Sequence, residues 1–500
     1  MKGKHLMGLG RSLPKEVDVR TCFSLLPPPI VDWCDVARVT IDVLPDLALL
    51  EIFNFCVDDV HDMLDLIYED IDAWHTLVHV CRKWRNVVFG SPRRLHLRLH
   101  CRASTQVKTK LTVWPRLPIV VRGTGWRQWG KYNIIAALEH NDRICQVYLG
   151  DMPAFKGHAE RVLAAMQQPF PALTDLYLRY MFSDVVIPDS FLGGSAPGLR
   201  SFYLYHIPFP GLPKLLLSTT HLVRLRLAGI RHSGYISPEA MVSCLSGLTR
   251  LEDLLIGFES PQSRPDRQRP PPPTRTLLPV LTRLQFKGVD EYMEDLVARI
   301  DAPQLNYLEI TFFNQLLFHT PQLTQFITRI PRFKTDYRAI MFFSSADVSI
   351  LLPQSPEEGL KLGILSRQSD WQLSSLAQVC SSCFPQDFIP VVERLIIGGE
   401  SPYWQDDIEN SQWLELFHIF NTVENLYVTR DFVPRIAPAL QELVGERVTE
   451  VLPALKNLVL EDTLPSGPVP EAIGAFVAAR QLADYPIDVR PWDLGWENDN

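Results

Sequence analysis

Residues 173–178 read Leu173-Thr174-Asp175-Leu176-Tyr177-Leu178, and residues 222–227 read Leu222-Val223-Arg224-Leu225-Arg226-Leu227. Each phrase carries aliphatics at its first, fourth and sixth positions, so its last residues alternate apolar and polar as a strand with one buried face does. The phrase begins at Ile144, Leu173, Leu199, Leu222, Leu251, Leu281 and Leu305, at successive spacings of 29, 26, 23, 29, 30 and 24 residues. It returns at Val392, Val423 and Leu455. Proline often stands two residues before the first aliphatic, as Pro171, Pro197 and Pro303 do. Chance alternation in a generic α/β chain does not hold such a period through ten copies.

A unit of this size cannot bury its own apolar face, so it must stack on its neighbours. The period and the Leu-x-x-Leu-x-Leu phrase resemble an irregular leucine-rich repeat. The expected fold class is therefore an α/β repeat over 141–500, a solenoid with parallel strands inside and helices outside. Segments such as Ala159 to Met166 and Glu291 to Ile300 read as those helices. Between Leu305 and Val392 lie 87 residues, room for two degenerate copies, and 331–390 shows no clear phrase. Residues 260–276, with four consecutive prolines from Pro270, read as a proline-rich surface loop.

Upstream of the repeats the pattern changes. Residues 1–40 have no sustained period and read as a mobile leader. Leu49, Ile52, Phe53 and Cys56 then recur at helical spacing behind Pro45, and Trp74, Leu77, Val78, Cys81, Trp84 and Val88 do so up to Gly90-Ser91-Pro92. Between them, residues 57–72 hold seven carboxylates and no base, an acidic connection. Two helices with so many large apolar residues in about 50 positions need a partner surface.

Leu44-Pro45-Asp46, Leu49-Leu50-Glu51-Ile52-Phe53 and Trp74-x-x-Leu77-Val78-x-Val80-Cys81-Arg82-Lys83-Trp84-Arg85 resemble an F-box, in particular that of the large fungal F-box family. The resemblance covers 41–92. It implies a docking site for a Skp-family adaptor, and through it a cullin, made by Leu44, Pro45, Leu49, Ile52, Phe53, Trp74, Leu77, Val80, Cys81, Trp84 and Val88. It also implies a substrate-receptor subunit of a ubiquitin ligase, itself without bond chemistry. A non-degradative F-box scaffold, a nucleic-acid-binding repeat protein and an enzyme with an unrecognised motif are the alternatives.

The chain has 500 residues, 46% of them apolar and 21% charged, with a net charge of −8, the balance of a chain that can build a core. Its acidity argues against a general nucleic-acid binder. Charge is unevenly placed, however: residues 73–138 hold thirteen Lys or Arg and no carboxylate. Residues 93–140 read as a basic linker into the array, suited to an acidic partner or, with Trp114, Trp126 and Trp129, to nucleic acid. Nine scattered cysteines read as reduced thiols of a cytoplasmic or nuclear protein. No apolar run is long enough for a membrane span.

The sequence offers no catalytic constellation, metal site or cofactor motif. His75 and His79 share a helix face without the glutamate of a zincin, Cys380-Ser-Ser-Cys383 is a C-x-x-C without a second pair, and Gly123-Thr-Gly125 lacks the third glycine of a dinucleotide fingerprint. Recognition is instead expected where the repeat strands turn their polar alternates to the inner surface of the array. Tyr177, Tyr203, Tyr205, Arg224 and Arg226 are the expected target-binding residues, because tyrosine and arginine join large contact area to hydrogen-bonding ends.

Overall fold

The computed structural model describes residues 43–57, 77, 79–90 and most of 96–492, leaving aside 114–115, 124–129, 153–156, 181–184, 262–273, 314–317, 335–338, 344–346, 353–354, 366–371, 384–391, 399–408 and 462–467. Trp74 and His75 of the expected adaptor helix, the acidic connection and the leader lie outside the described residues.

The repeated phrases become strands of one sheet. In chain order these are β1 (Leu97–His100), β2 (Ile119–Gly123), β3 (Ile144–Met152), β4 (Asp175–Tyr180), β5 (Ser201–Tyr205), β6 (Arg224–Ile230) and β7 (Asp253–Phe258). After a short β8 (Thr276–Leu277) come β9 (Arg283–Gly288), a short β10 (Ile300–Asp301) and β11 (Tyr307–Phe313). β12 (Ala339–Phe343), β13 (Asp347–Leu352) and β14 (Ser355–Leu365) follow, then β15 (Val392–Ile397), β16 (Asn425–Val428), β17 (Asn457–Leu460) and β18 (Asp488–Pro491). Among the described residues sixteen of them form a single sheet in the order 1-2-3-4-5-6-7-9-11-14-13-12-15-16-17-18.

Pairing is parallel from β1 to β11 and keeps the phrases in register, Leu176 opposite Phe202 and Phe202 opposite Leu225. The phrase leucines point to one side, where Leu176, Leu178, Leu225 and Leu227 are buried with Val162, Met241, Met293 and Phe326 of the connecting helices in one continuous core. The alternation is plain in β4, whose outward residues are half-buried and inward ones buried. Helices thus cover one face of the sheet and the other stays open, the leucine-rich-repeat-like α/β solenoid expected from the period.

The prolines have a backbone reason. Leu173 N–H donates to Phe170 O (3.1 Å), Leu199 to Ala196 (3.1 Å) and Leu305 to Ala302 (3.2 Å), so each proline occupies the second position of a β-turn that delivers the chain to the strand. A second ladder ties the turns together: Arg200 N–H donates to Thr174 O, Val223 to Arg200 and Glu252 to Val223. Hydrogen bonds that isolated units would leave to water are satisfied by the neighbouring repeat.

Three features differ from the sequence reading. The array begins at Leu97, not at 141: β1 and β2 with the helices Val107–Val113 and Lys131–Leu138 are its first turns, so the expected linker 93–140 is repeat for most of its length. Strand β2, Ile-Val-Val-Arg-Gly, is buried at all but Arg122 and shows no phrase, which hid it. Of the expected proline-rich loop, residues 262–273 lie outside the described residues, and its last residue, Thr276, together with Leu277, pairs in parallel with Ile300 and Asp301 in a two-stranded side sheet. Finally, the described residues of 331–390 are not arranged as two successive repeat copies. β14 pairs parallel with β11, β13 runs antiparallel between β14 and β12, and β12 passes the sheet on to β15, so the chain overshoots, doubles back and fills the gap.

The N-terminal helices α1 (Asp46–Val57) and α2 (Arg82–Gly90) close the first end. Leu49, Leu50, Phe53, Leu77, Val87 and Val88 are buried and belong to the same core as Leu97 and Leu99. Phe53 packs on Trp84 with ring centroids 4.8 Å apart, and Lys83 Nζ donates to Leu44 O at 2.9 Å, tying one helix to the start of the other. At the far end, β18 exposes all four residues, and Asp488, Arg490 and Pro491 blunt it as an edge.

Candidate functional site

Two surfaces stand out among the described residues. The first is the helical pair. Its packing divides the expected adaptor residues. Leu49, Phe53, Leu77 and Val88 are core; Leu44, Cys81 and Trp84 are half-buried; Pro45 is exposed, as are Ile52 (41%) and Val80 (58%). Leu47, which lies outside the expected set, joins them at 67% exposure. One side of the pair is therefore anchored in the array while the other offers aliphatic side chains to solvent, where water makes them costly to leave uncovered.

The second is the open face of the sheet. Strand register sets its residues in rows that run across the strands. One row places Arg122, Tyr148, Tyr177, Tyr203 and Arg226 side by side on β2 to β6. Tyr177 and Tyr203 stack face to face at 4.5 Å with planes 4° apart, close to the spacing of neighbouring strands. Tyr148 continues the row at 6.5 Å from Tyr177, with the Arg122 guanidinium 5.6 Å from its ring. In the next row Arg179 lies 5.0 Å from the ring of Tyr205, and further along Arg283 lies 4.5 Å from that of Tyr307.

All five expected target-binding residues lie on this face. Tyr177, Tyr203 and Arg226 form one continuous row, Tyr205 sits beside it and Arg224 is the exposed member of β6. The expected set omits Arg122, since β2 carries no phrase, and Tyr148, although it stands between Val147 and Leu149 of the phrase that begins at Ile144 and is thus an outward alternate like Tyr177.

Three carboxylates of this face, Asp253, Asp175 and Glu309, each accept hydrogen bonds from neighbours on it. Asp253, nearly fully buried, accepts from Arg226 through Nε at 3.0 Å and Nη2 at 2.5 Å. Asp175 accepts from Thr174 and Gln146, and Glu309 from Gln285 and Tyr307. Burial pushes the Tyr148 phenol up to about 12, with Asp175 adding to the effect, and burial with the neighbouring Tyr177 and Tyr205 does the same at Tyr203. These phenols stay protonated, as hydrogen-bond donors, throughout the neutral range.

The remaining motifs form no site. Cys380 and Cys383 lie in the helix Gln372–Cys383, and burial pushes the Cys383 thiol up to about 12 and Cys380 higher still, the state of inert core cysteines. His79 is exposed, and among the described residues no group of three His, Cys, Asp or Glu could hold a metal ion. The basic block is split by the fold: Arg98 and Arg122 face outward on β1 and β2, while Lys108 and Lys110 lie on the helix Val107–Val113, and Arg93, Arg94, Trp114, Trp126, Arg127 and Trp129 are outside the described residues. No helix among the described residues is long and apolar enough to cross a membrane.

No family model matches the chain, and no curated protein does. Among solved structures, the leucine-rich repeat-containing protein LegL7 from Legionella pneumophila is similar, at 12% identity over 76% of this chain and 97% of that one, with a TM-score of 0.27. At that score the likeness carries no weight by itself. The chain's own register, turn ladder and one-sided burial make it a leucine-rich-repeat-like α/β solenoid with an open, tyrosine- and arginine-rich sheet face.

Proposed function

We propose that the protein is a non-catalytic substrate receptor of a Skp–cullin–F-box ubiquitin ligase, docking a Skp-family adaptor on the helical pair and a target protein on the open sheet face. The observation that carries this reading is the division of the helical pair: one face anchored in the array, the other presenting Pro45, Leu47, Ile52 and Val80. Aliphatic side chains exposed on helices that are anchored in the end of the array suit docking by a partner helix or loop, and the resemblance of 41–92 to an F-box supports a Skp-family adaptor as that partner. Holding a target lysine near a charged conjugating enzyme needs only proximity, which raises effective concentration without bond chemistry in this chain.

Replacing Ile52 and Val80 together by Asp tests the dock without touching the core, because both side chains face solvent. The reading expects co-purification with a Skp-family adaptor to be lost at an unchanged melting temperature. Full retention of the adaptor by the double variant would overturn it. A polyubiquitin ladder on a captured target separates a degradative receptor from an F-box scaffold that binds without turnover.

A further inference from the structure

On β2 to β9, among the residues whose side chains are described, the outward rows carry the cations Arg122, Arg179, Arg224, Arg226, Arg283 and Lys287 against two carboxylates, Asp175 and Asp253. This stands out in a chain whose net charge is −8. Both carboxylates are already accepting hydrogen bonds, Asp253 from Arg226 and Asp175 from Thr174 and Gln146. With Arg226 balanced by Asp253, the rows keep a net positive charge, and what they offer a partner is mainly guanidinium, ammonium and phenol O–H groups. A surface of donors is completed by a surface of acceptors.

The tyrosines narrow the choice of polyanion. Tyr177 and Tyr203 spend their faces on each other at 4.5 Å and 4°, and the guanidiniums of Arg122, Arg179 and Arg283 lie near the rings of Tyr148, Tyr205 and Tyr307. A nucleic-acid base stacks on an aromatic face, and here one face of each of these rings is taken by a neighbour on the sheet. Ring edges and hydroxyls remain, and they suit carboxylate oxygens interspersed with aliphatic contacts.

We propose that the open face of β2 to β9 docks an extended acidic segment of a partner protein, with its carboxylates on the arginine and phenol donors and its apolar side chains along the tyrosine edges. This rests on the receptor reading above, for it names the chemistry of the target. The segment lies across the strands, because the donors are aligned in cross-strand rows.

The test uses the full chain and fluorescence anisotropy with three labelled probes: a peptide of Glu-Glu-Leu repeats, its Gln-Gln-Leu isostere and an oligothymidylate. The acidic peptide should bind at least about tenfold more tightly than its isostere at low salt, and this preference should shrink as salt is raised toward about 0.2 M. Arg179→Glu, Arg224→Glu and Arg283→Glu together should erase the preference. Arg224→Glu alone, at an exposed position, should reduce it several-fold and guards against misfolding of the triple variant. Arg394→Glu, on β15, should leave it intact. Equal binding of peptide and isostere, tighter binding of the oligothymidylate, or an equal loss from Arg394→Glu would each overturn the proposal. Native target capture separates this failure from failure of the receptor reading: a target lost by the Tyr177→Ala, Tyr203→Ala and Tyr205→Ala variant but kept by the charge reversals sinks only the acidic partner, whereas a target kept by both removes the open face as the grip.

Discussion

Strands β3 to β6 and β15 to β18 share one architecture and differ on one side of it. Inward, both bury phrase aliphatics, Leu176, Phe202 and Leu225 in the first group and Leu395, Leu426 and Leu458 in the second. Outward, the first group sets the row Tyr148, Tyr177, Tyr203 and Arg226, whereas the second sets Ile396, Tyr427, Val459 and Arg490. Ile396 is 2% exposed and Val459 8%, and Trp492 stands edge-on to Tyr427 at 5.5 Å. Asn457 donates to Asn425 at 2.8 Å, in a row whose outer members are Arg394 and Asp488. The inward alternates decide that a solenoid forms; the outward alternates decide where it can hold something.

The largest effect should be common to both groups. Leu176→Ala and Leu426→Ala each empty a fully buried phrase position and should each cost about 3 kcal/mol in chemical denaturation, within the usual 2–5 kcal/mol for such deletions. A much smaller cost at one of them would break the claim that the two groups are packed alike.

Backbone demands come next. Gly229, the next-to-last residue of β6, has φ of +63°, and a Cβ there would meet the His206 ring at 2.8 Å. Gly229→Ala should cost about 1–3 kcal/mol. At Gly398, just after β15 and without a positive φ, the nearest neighbour of an added Cβ is the Thr429 methyl at 2.5 Å, a side-chain group that can turn away. Gly398→Ala should cost less, by the same denaturation measurement, and equal costs would say that the positive φ contributes little.

The smallest effect is a pH dependence that only the first group should show. Burial lowers the pKa of His206 below its usual 6.5, more than Glu259 beside it can offset, while Arg231, Lys287 and Arg179 reinforce the shift. The native state then binds fewer protons than the unfolded chain just below pH 6.5, so stability is lost as pH falls through that window. His206→Gln should flatten the stability profile between pH 7 and pH 5 in thermal denaturation; an unchanged slope would assign the acid sensitivity to other groups.

Much of this was legible in the sequence because a solenoid writes its core into a period. The phrase leucines, the turn prolines and the outward Tyr177, Tyr203, Tyr205, Arg224 and Arg226 follow from spacing and alternation alone. β2 escaped because a strand buried on both sides, Ile119-Val120-Val121, loses its alternation. The excursion β12–β13–β14 escaped because an antiparallel return needs no repeat period. The helical pair was legible as amphipathic, but which face it buries depends on where it meets β1, so Leu49 and Phe53 turned inward and Leu47 and Val80 outward without a local signal.

Backbone hydrogen exchange of the full chain, with and without a purified Skp-family adaptor, tests the two-surface account most directly. It predicts new protection confined to residues 44–90, around the exposed Leu47, Ile52 and Val80, with β3 to β6 exchanging as before and still open to a target. Protection appearing on β3 to β6 and absent from 44–90 would contradict it.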